Sequence, residues 1–273
     1  MGRHRVRLLA LLALLGAASC SKSARAPSDD HSSPALRAAV AGKRPAFVDA
    51  DGSRGRKAWD DERQFYEQNG YRLEWSDGKR PGRDLDGLLG ALKAADAEGL
   101  DPSTYRIDDL EATRDMSQLD LRATYAYLRY ARDLHPSTRV NDEARSGQEP
   151  DVDFVDALQT ALADHNIERS LSGLAPAAAQ YRGLKQQLAL ARARRDDAAA
   201  QQIAMNMDRW RALPADLGRR YVMVNIPAFR LDVIEDGKSV LGMKVVTGKK
   251  SSPTPLLADE MTSIVFSPSW HIP

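Results

Sequence analysis

Few side chains in this 273-residue chain are of the types that do covalent or metal chemistry. Cys20 is the only cysteine, and the histidines are His4, His31, His135, His165 and His271. No two histidines have a ligand spacing such as i, i+4, and none sits beside Asp or Glu in a metal motif. His135 and His165 fall at predicted helix ends, where the helix dipole favours an imidazole, and His271 matches a strand end. We predict no metal site, no cofactor and no catalytic residue.

Adjacent carboxylates are the next candidates, as Asp60-Asp61, Asp108-Asp109 and Asp196-Asp197. Acid/base cleavage of a glycan needs one carboxyl group in an apolar pocket, whereas these pairs lie on polar segments. We expect them at helix starts or on solvated faces. Lys249-Lys250 beside Ser251-Ser252 could meet peptide carboxylates, but the segment is typical of a solvated loop.

The N-terminus predicts export. A basic stretch from Arg3 to Arg7 precedes the apolar run Leu8 to Leu15 and small residues, which is the order of a secretory signal peptide over residues 1–19. Ala17-Ala-Ser-Cys20 resembles the lipobox of bacterial lipoproteins, although leucine is commoner than alanine at the first position. The resemblance implies lipid attachment at Cys20. We therefore expect a periplasmic, membrane-anchored lipoprotein, with a soluble periplasmic protein as the alternative.

Composition limits the remaining possibilities. Residues 20–45 are rich in Ser, Ala, Pro, Asp and Arg without apolar periodicity, which predicts a disordered tether. Hydrophobic residues make up 42% of the chain and charged residues 28%, as in soluble globular proteins. Lys and Arg number 39 against 38 Asp and Glu, so no basic field favours nucleic acid as a partner.

Residues 46–215 read as a helical domain, because apolar residues recur there at helical spacing between Gly and Pro breaks. Asp84 can cap the first predicted helix, which ends at Gly99. The apolar faces of the five predicted helices contain Leu85, Leu88, Leu92; Leu121, Leu128, Leu134; Val152, Val155, Leu158, Leu162; Tyr181, Leu184, Leu188; and Ile203, Met207, Trp210. Such faces pack against one another in a bundle.

Strands follow the helices. The run Tyr221 to Ile226 is β-rich, and apolar residues alternate from Phe229 to Ile234. Asp236-Gly237 predicts a type I′ turn that leads into a partner strand over Ser239–Thr247. A further strand is predicted over Met261–Phe266.

Several phrases along the chain resemble one protein family. These are Gly99-Leu-Asp-Pro-Ser-Thr-Tyr105, Leu128-Arg-Tyr-Ala-Arg-Asp-Leu134, Tyr181-Arg-Gly-Leu184, Asn206-Met-Asp-Arg-Trp210, Val224-Asn-Ile-Pro-Ala-Phe-Arg-Leu231 and Phe266-Ser-Pro-Ser-Trp-His-Ile-Pro273. In this order they resemble the large L,D-transpeptidases, in which a scaffold domain precedes the catalytic domain. The resemblance implies an α+β chain: an all-helical scaffold over 46–215, then the first strands of an incomplete, mostly-β catalytic domain over 219–273.

The family cross-links bacterial peptidoglycan through a thioester on a cysteine within a His…Ser-His-Gly-Cys segment. That segment is absent from these residues, so the resemblance implies cell-wall biogenesis as the role but predicts that this chain alone is inactive. The implied partners are peptidoglycan stem peptides, the membrane through the lipid anchor, and a second chain that completes the catalytic domain. The alternative is a non-catalytic envelope lipoprotein whose scaffold binds peptidoglycan or a partner enzyme.

Overall fold

The computed structural model describes residues 32–135, 152–213, 217–255, 261–263 and 265–266. The helices are α1 (Pro34–Ala41), α2 (Ala46–Ala50), α3 (Gly52–Asn69), α4 (Arg83–Lys93), α5 (Ile107–Ala112), α6 (Met116–Leu134), α7 (Phe154–Ala163), α8 (Ile167–Gly173), α9 (Ala179–Ala193) and α10 (Asp197–Arg211). The strands are β1 (Arg220–Asn225), β2 (Arg230–Glu235) and β3 (Lys238–Lys244). The α+β class predicted from the sequence is confirmed.

Helix α6 is the centre of the helical part. It packs against α1, α3, α4, α5, α7 and α8, and it is buried on nearly all sides. The Asp115 side chain caps its first turn by accepting a hydrogen bond of 2.8 Å from the Gln118 amide. A helix that is buried nearly all round lies inside a bundle, and the other helices surround it accordingly. None of the described helices is both long and apolar enough to span a bilayer.

The predicted tether is wrong over its described end. Ser33 caps α1 with Pro34 in the first turn, and Leu36 and Val40 are buried in the main core. Leu36 and Val40 are four residues apart, so they lie on one face of a helix, and this short repeat was the signal to find. The helical domain therefore begins at Pro34 rather than at residue 46. Residues 20–31 lie outside the described part of the chain.

Helices α9 and α10 form an antiparallel hairpin beside the main bundle. Their small core contains Tyr181, Leu188 and Met207, with Ile203 and Trp210 packed against it. The turn between the two helices is exposed, and Arg195 adopts a left-handed conformation there at φ 57°. The Asp196 side chain then caps α10 by accepting from the Ala199 amide at 3.0 Å. Both helices occur where the sequence predicted them.

Two local predictions in the helical part need adjustment. Gly82, not Asp84, is the N-cap residue of α4, and Asp84 lies inside the first turn. The Asp84 carboxylate instead contacts His165, with 2.8 Å between Oδ2 and Nδ1. Val152 precedes α7, because Asp153 caps that helix by accepting from the amides of Val155 and Asp156.

The strands form an antiparallel sheet in the order β1-β2-β3. Asp236 and Gly237 have φ values of 47° and 77°, as the predicted type I′ turn requires. The partner strand ends at Lys244 rather than at Thr247. The strand predicted over Met261–Phe266 is not supported, because residues 261–263 and 265–266 are exposed and have no strand pairing.

One face of the sheet is apolar. Cross-strand pairing places the same-face residues together: Val222 opposite Val233, Val224 opposite Leu231, and Leu241 and Met243 on the third strand. No residue of the three strands is buried, and Val222, Val224, Leu241 and Met243 are each about half exposed. This face is therefore solvent-accessible within the described residues.

Candidate functional site

A groove of ≈ 570 Å³ lies where α10 meets the main bundle, and we call it the junction groove. Its charged lining residues include Arg54, Asp101, Asp133, Asp208 and Arg209. The groove joins two of the phrases singled out in the sequence, residues 99–105 on one wall and residues 206–210 on the other. Two phrases that are distant in sequence therefore meet in the fold.

A close backbone approach fixes the groove at Gly99. Its φ is +69°, and an added Cβ would lie 3.1 Å from both Cα and Cβ of Ala204 in α10. The left-handed conformation ends the preceding turn, and the missing side chain lets α10 come close. Asp101 then starts the next 3₁₀ turn by accepting a hydrogen bond of 2.9 Å from the Ser103 amide.

The floor of the junction groove is a buried charge network around Asp133. Arg129, four residues earlier on α6, forms an ion pair with it, and the Tyr105 hydroxyl donates a hydrogen bond of 3.1 Å to Asp133 Oδ2. Arg54 of α3 approaches from the rim, with 3.6 Å between Nη1 and Oδ1. Burial and the nearby Asp133 carboxylate raise the pKa of Tyr105, so its hydroxyl remains a donor. The network positions side chains but holds no nucleophile.

A second buried network attaches the α9–α10 hairpin to the bundle. Arg211 is fully buried, and its Nη1 donates to the Glu98 carbonyl oxygen at 2.8 Å and to the Tyr181 hydroxyl at 2.7 Å. Tyr181 donates in turn to Glu98 Oε2 at 2.9 Å, and Lys185 pairs with the same carboxylate. Sequence reasoning missed Arg211. The signal in the sequence was its position directly after the Asn206–Trp210 phrase, at the end of a predicted helix.

A third buried group surrounds Asp120. Its carboxylate accepts hydrogen bonds from the Trp75 amide at 2.8 Å, the Glu74 amide at 3.0 Å and the Tyr66 hydroxyl at 2.9 Å. Burial raises its pKa to about 7, although the two amide donors favour the charged form. Glu62 is also fully buried, and its carboxyl oxygens have no hydrogen-bond partner in the described protein.

Burial raises the pKa of Glu62 well above its ordinary value, and the Asp120 charge adds to the shift. Of the two carboxyl groups, Asp120 receives the donors that stabilise a negative charge, so we assign the proton to Glu62. Neither group lines the junction groove, and the hydrogen bonds of this network connect α3, α6 and the 70–82 loop.

The histidines have structural surroundings where they are described. His135 is 3% exposed and packs edge-on against Phe154, with 5.6 Å between ring centroids. His165 lies after α7 at φ 51° and contacts Asp84. Cys20, together with His4, His31 and His271, lies outside the described residues. Within those residues, no three His, Cys, Asp or Glu side chains are grouped to hold a metal ion.

The acidic pairs separate into two kinds. Asp108-Asp109 and Asp196-Asp197 lie at the starts of α5 and α10, as predicted. Asp61 differs from the prediction, because it accepts two hydrogen bonds of 2.6 and 2.8 Å from Arg132 in a partly buried ion pair. Burial raises the pKa of Asp61 even so. Lys249-Lys250 lies in an exposed loop, as predicted.

At the other end of the chain, hydrogen bonds of its own side chains fix the connection from β1 to β2. Asn225 caps a 3₁₀ turn by accepting a hydrogen bond of 3.2 Å from the Ala228 amide, and Phe229 follows at φ 51°. Arg230 donates two hydrogen bonds of 2.8 Å to Asp232 on the polar face of the sheet. This arrangement explains the phrase Val224–Leu231 as a tight strand connection.

Known protein families match the helical part and the sheet of this chain separately. A model of the scaffold domain matches residues 60–188, and a model of the L,D-transpeptidase catalytic domain matches residues 219–273. The chain is also similar to a Haemophilus influenzae protein provisionally named an L,D-transpeptidase, with 28% identity over 127 residues. The matched stretch is 46% of this chain and 26% of the relative, so it spans about a quarter of that protein. Residues 60–188 thus match the scaffold domain and residues 219–273 the catalytic domain of L,D-transpeptidases, with the scaffold domain first.

Proposed function

We propose that the protein acts in peptidoglycan cross-linking and cell-wall biogenesis. The observation that carries this proposal is the succession of a scaffold bundle, the junction groove and a β-hairpin sheet that matches the catalytic domain of L,D-transpeptidases. In that family a stem peptide is transferred through a thioester to a diamino-acid side chain of a neighbouring stem. Stem peptides are accordingly the proposed substrate class.

The direct test is the chemistry of the cell wall. Cells with and without the intact gene are compared by separation and mass analysis of muropeptides. We expect loss of the gene to lower the fraction of cross-links that join two diamino acids, and reintroduction to restore it. An unchanged cross-link pattern in both strains would refute the proposed role.

A polypeptide of these 273 residues should nevertheless form no acyl-enzyme by itself. Its sole cysteine is Cys20, which precedes the helical domain and is the proposed lipid-attachment residue. The purified polypeptide is incubated with a carbapenem and weighed by mass spectrometry. We expect no covalent adduct, and we expect one when a second chain that supplies the Ser-His-Gly-Cys segment completes the site. An adduct on the 273-residue polypeptide alone would overturn this prediction.

We also propose export and lipid attachment at Cys20. The support is the basic-apolar-small order of residues 1–19 and the lipobox-like sequence that ends at Cys20. Metabolic labelling with a fatty-acid analogue should mark the wild-type protein and leave the Cys20→Ser variant unmarked. A soluble periplasmic protein is the alternative, and labelled Cys20→Ser protein would exclude attachment at this residue.

The second candidate function is a non-catalytic lipoprotein scaffold. It is favoured by the main core, which is formed by α1 to α8 with the segments between them and contains no described residue of the sheet. The two candidates differ in a pull-down experiment with purified sacculi and in the muropeptide comparison. A scaffold should bind sacculi or a partner enzyme while leaving the diamino-acid cross-links unchanged, and an enzyme component should change them.

A further inference from the structure

Four exposed basic side chains border the point where the described part of the chain begins, and we call them the entry surface. Arg37 lies in α1, Lys79 and Arg80 lie in a turn of the 70–82 loop, and Arg83 is the first residue of α4. None of the four forms an ion pair with a carboxylate of the described residues. Because the net charge of the whole chain is only +1, this excess of positive charge is local.

Backbone pairing joins the beginning of the described chain to the 70–82 loop. The Ser33 amide donates a hydrogen bond of 2.9 Å to the Tyr71 carbonyl oxygen, and Ser32 forms an antiparallel bridge with Arg72. The guanidinium carbon of Arg37 lies 4.4 Å from the Tyr71 ring centroid, so α1 also contacts the loop through a side chain. The start of α1 and the start of the loop are therefore held together.

The loop continues from this contact to the basic turn. Arg72 and Lys79 are seven residues apart, so at most about 25 Å of chain separates them. The loop also folds back on itself, because Ser76 forms an antiparallel bridge with Pro81. The chain that leads from Ser32 toward Cys20 therefore leaves the helical domain next to the entry surface.

Acidic residues offset only part of the charge of the loop. Asp77 accepts hydrogen bonds from the amides of Lys79 and Arg80 at 2.8 and 2.7 Å, which holds the turn and leaves both basic side chains exposed. Glu74 pairs with Arg72 at 3.2 Å. Residues 70–83 thus contain four basic and two acidic residues, and Arg37 adds a further positive charge beside them.

The proposed lipid at Cys20 would keep the entry surface near a membrane. Twelve peptide units separate Cys20 from Ser32, so their Cα atoms are at most about 43 Å apart, whatever path the chain takes. A compact domain of roughly 170 residues has a radius of gyration of about 15 Å, which corresponds to a width of about 40 Å. The anchor would therefore hold the domain within about its own width of the bilayer, with the side next to Ser32 closest to it.

Each Lys or Arg near an anionic bilayer strengthens binding about fivefold, within a Debye length of about 8 Å at physiological salt. We propose that the entry surface docks on the anionic phospholipid surface of the membrane to which the chain is anchored. The anchor rests on the proposed lipid attachment, whereas the charge and the exit of the chain are properties of the domain itself.

Docking would also orient the helical domain. Helix α4 has 11 residues and is about 16 Å long, with Arg83 at its start. The 3₁₀ turn Ala95–Glu98 follows its other end, and α9 packs against that turn. The α9–α10 hairpin therefore lies at the opposite end of α4 from Arg83, and docking would hold the hairpin farther from the lipid than the entry surface.

Co-sedimentation with vesicles measures docking without the lipid anchor. The 273-residue protein carrying Cys20→Ser is mixed with vesicles of phosphatidylcholine alone, or of equal parts phosphatidylcholine and phosphatidylglycerol. We expect binding at least about tenfold tighter to the anionic vesicles at low salt, and loss of most of this difference at about 1 M salt. Equal binding to both kinds of vesicle would overturn the proposal. Glycerol 3-phosphate at the same phosphate concentration should leave the protein on the vesicles, and displacement would show a site for single anions instead.

Variants assign the binding to the entry surface, because residues 1–31 are the same in all of them. The first variant combines three changes in the loop and at the start of α4: Lys79→Gln, Arg80→Gln and Arg83→Gln. It should weaken binding to the anionic vesicles at least about tenfold. Arg37→Gln changes a different element and should weaken binding about fivefold, which tests the surface even where the triple variant does not fold by circular dichroism.

The matched control removes three exposed charges from the α9–α10 hairpin: Arg182→Gln, Arg194→Gln and Arg195→Gln. It has the same net charge as the first variant. Because these residues lie away from the docked side, binding should stay within about twofold of that of the parent protein. Equal losses in the two triple variants would show that only net charge matters, and would refute the assigned surface.

The lipid anchor and the entry surface fail separately, because the Cys20→Ser protein carries no lipid at residue 20. Tighter binding to anionic vesicles, with no fatty-acid label on the wild-type protein in cells, would remove the anchor and leave the surface. Labelled wild-type protein, with equal binding of the Cys20→Ser protein to both kinds of vesicle, would leave the anchor and remove the surface.

Discussion

The buried carboxyl group of Glu62 should make the stability of the helical part depend on pH in an unusual direction. Glu62 is fully buried without a hydrogen-bond partner, and its pKa is raised by burial and by Asp120. In the unfolded chain a glutamate ionises near its ordinary pKa of about 4.3. Folding above that pH therefore takes up a proton at Glu62, so the free energy of unfolding decreases as pH rises, until the folded-state pKa is reached.

The Glu62→Gln variant isolates this effect, because glutamine has a similar shape but does not titrate. One proton taken up on folding changes the free energy of unfolding by about 1.4 kcal/mol per pH unit. We therefore expect the free energy of unfolding to fall more steeply with pH in the wild type than in Glu62→Gln between pH 5 and pH 7, by up to about 1.4 kcal/mol per pH unit. The glutamine amide also lacks hydrogen-bond partners, which lowers stability by an amount that does not vary with pH. The test is therefore the slope of the free energy of unfolding against pH, and not its absolute value.

Urea unfolding followed by fluorescence of the buried Trp59 and Trp75 measures the free energy at each pH. The matched control is Glu67→Gln, on the exposed face of the same helix, whose pH dependence should follow the wild type. If the Glu62→Gln and wild-type curves are parallel from pH 5 to pH 7, Glu62 ionises normally in the folded protein, and the assignment of the proton is wrong.

Three further changes test the attachment of the C-terminal elements. Gly99→Ala should cost about 2 kcal/mol in urea unfolding, because φ is +69° and the new Cβ would lie 3.1 Å from Ala204; an unchanged midpoint would contradict the close approach. Arg211→Met should cost about 3 kcal/mol because the buried Glu98 carbonyl oxygen and Tyr181 hydroxyl would each lose a hydrogen bond from a charged donor, and a neutral effect would show that the network contributes little. Limited proteolysis of the 273-residue polypeptide should cut within residues 217–255 before it cuts α6, since no strand residue is buried; equal protection by mass spectrometry would argue against this.

Much of the helical part could be predicted from periodicity. The helices around Leu88, Leu128, Leu158 and Leu188 were found because their apolar residues recur at helical spacing. Helix α1 was missed because only two larger apolar residues, Leu36 and Val40, mark its buried face, and the rest of the helix is mostly alanine. Short helices are fixed by what they pack against, and local composition does not contain that information.

The buried networks could not be predicted for a related reason. Asp120 accepts hydrogen bonds from the amides of residues 74 and 75, and Arg211 donates one to the Glu98 carbonyl oxygen. Each partner is far away in sequence. Charged residues such as Glu62 and Arg211 also look like surface residues in a sequence, because full burial of a charge is rare. The resemblance of the phrases at 99–105 and 206–210 indicated the family, but only the fold shows that they line one groove.

The exposed turn between α9 and α10 has a consequence for how this architecture can be extended. The turn contributes nothing to either core, and the two helices on either side of it already lie side by side. Additional sequence could enter at Arg195 without opening the interior, since each doubling of a flexible loop costs only about 0.6 kcal/mol. A module inserted there would be carried on a hairpin whose position on the scaffold is set by the buried Arg211 network and by the close approach of Ala204 to Gly99.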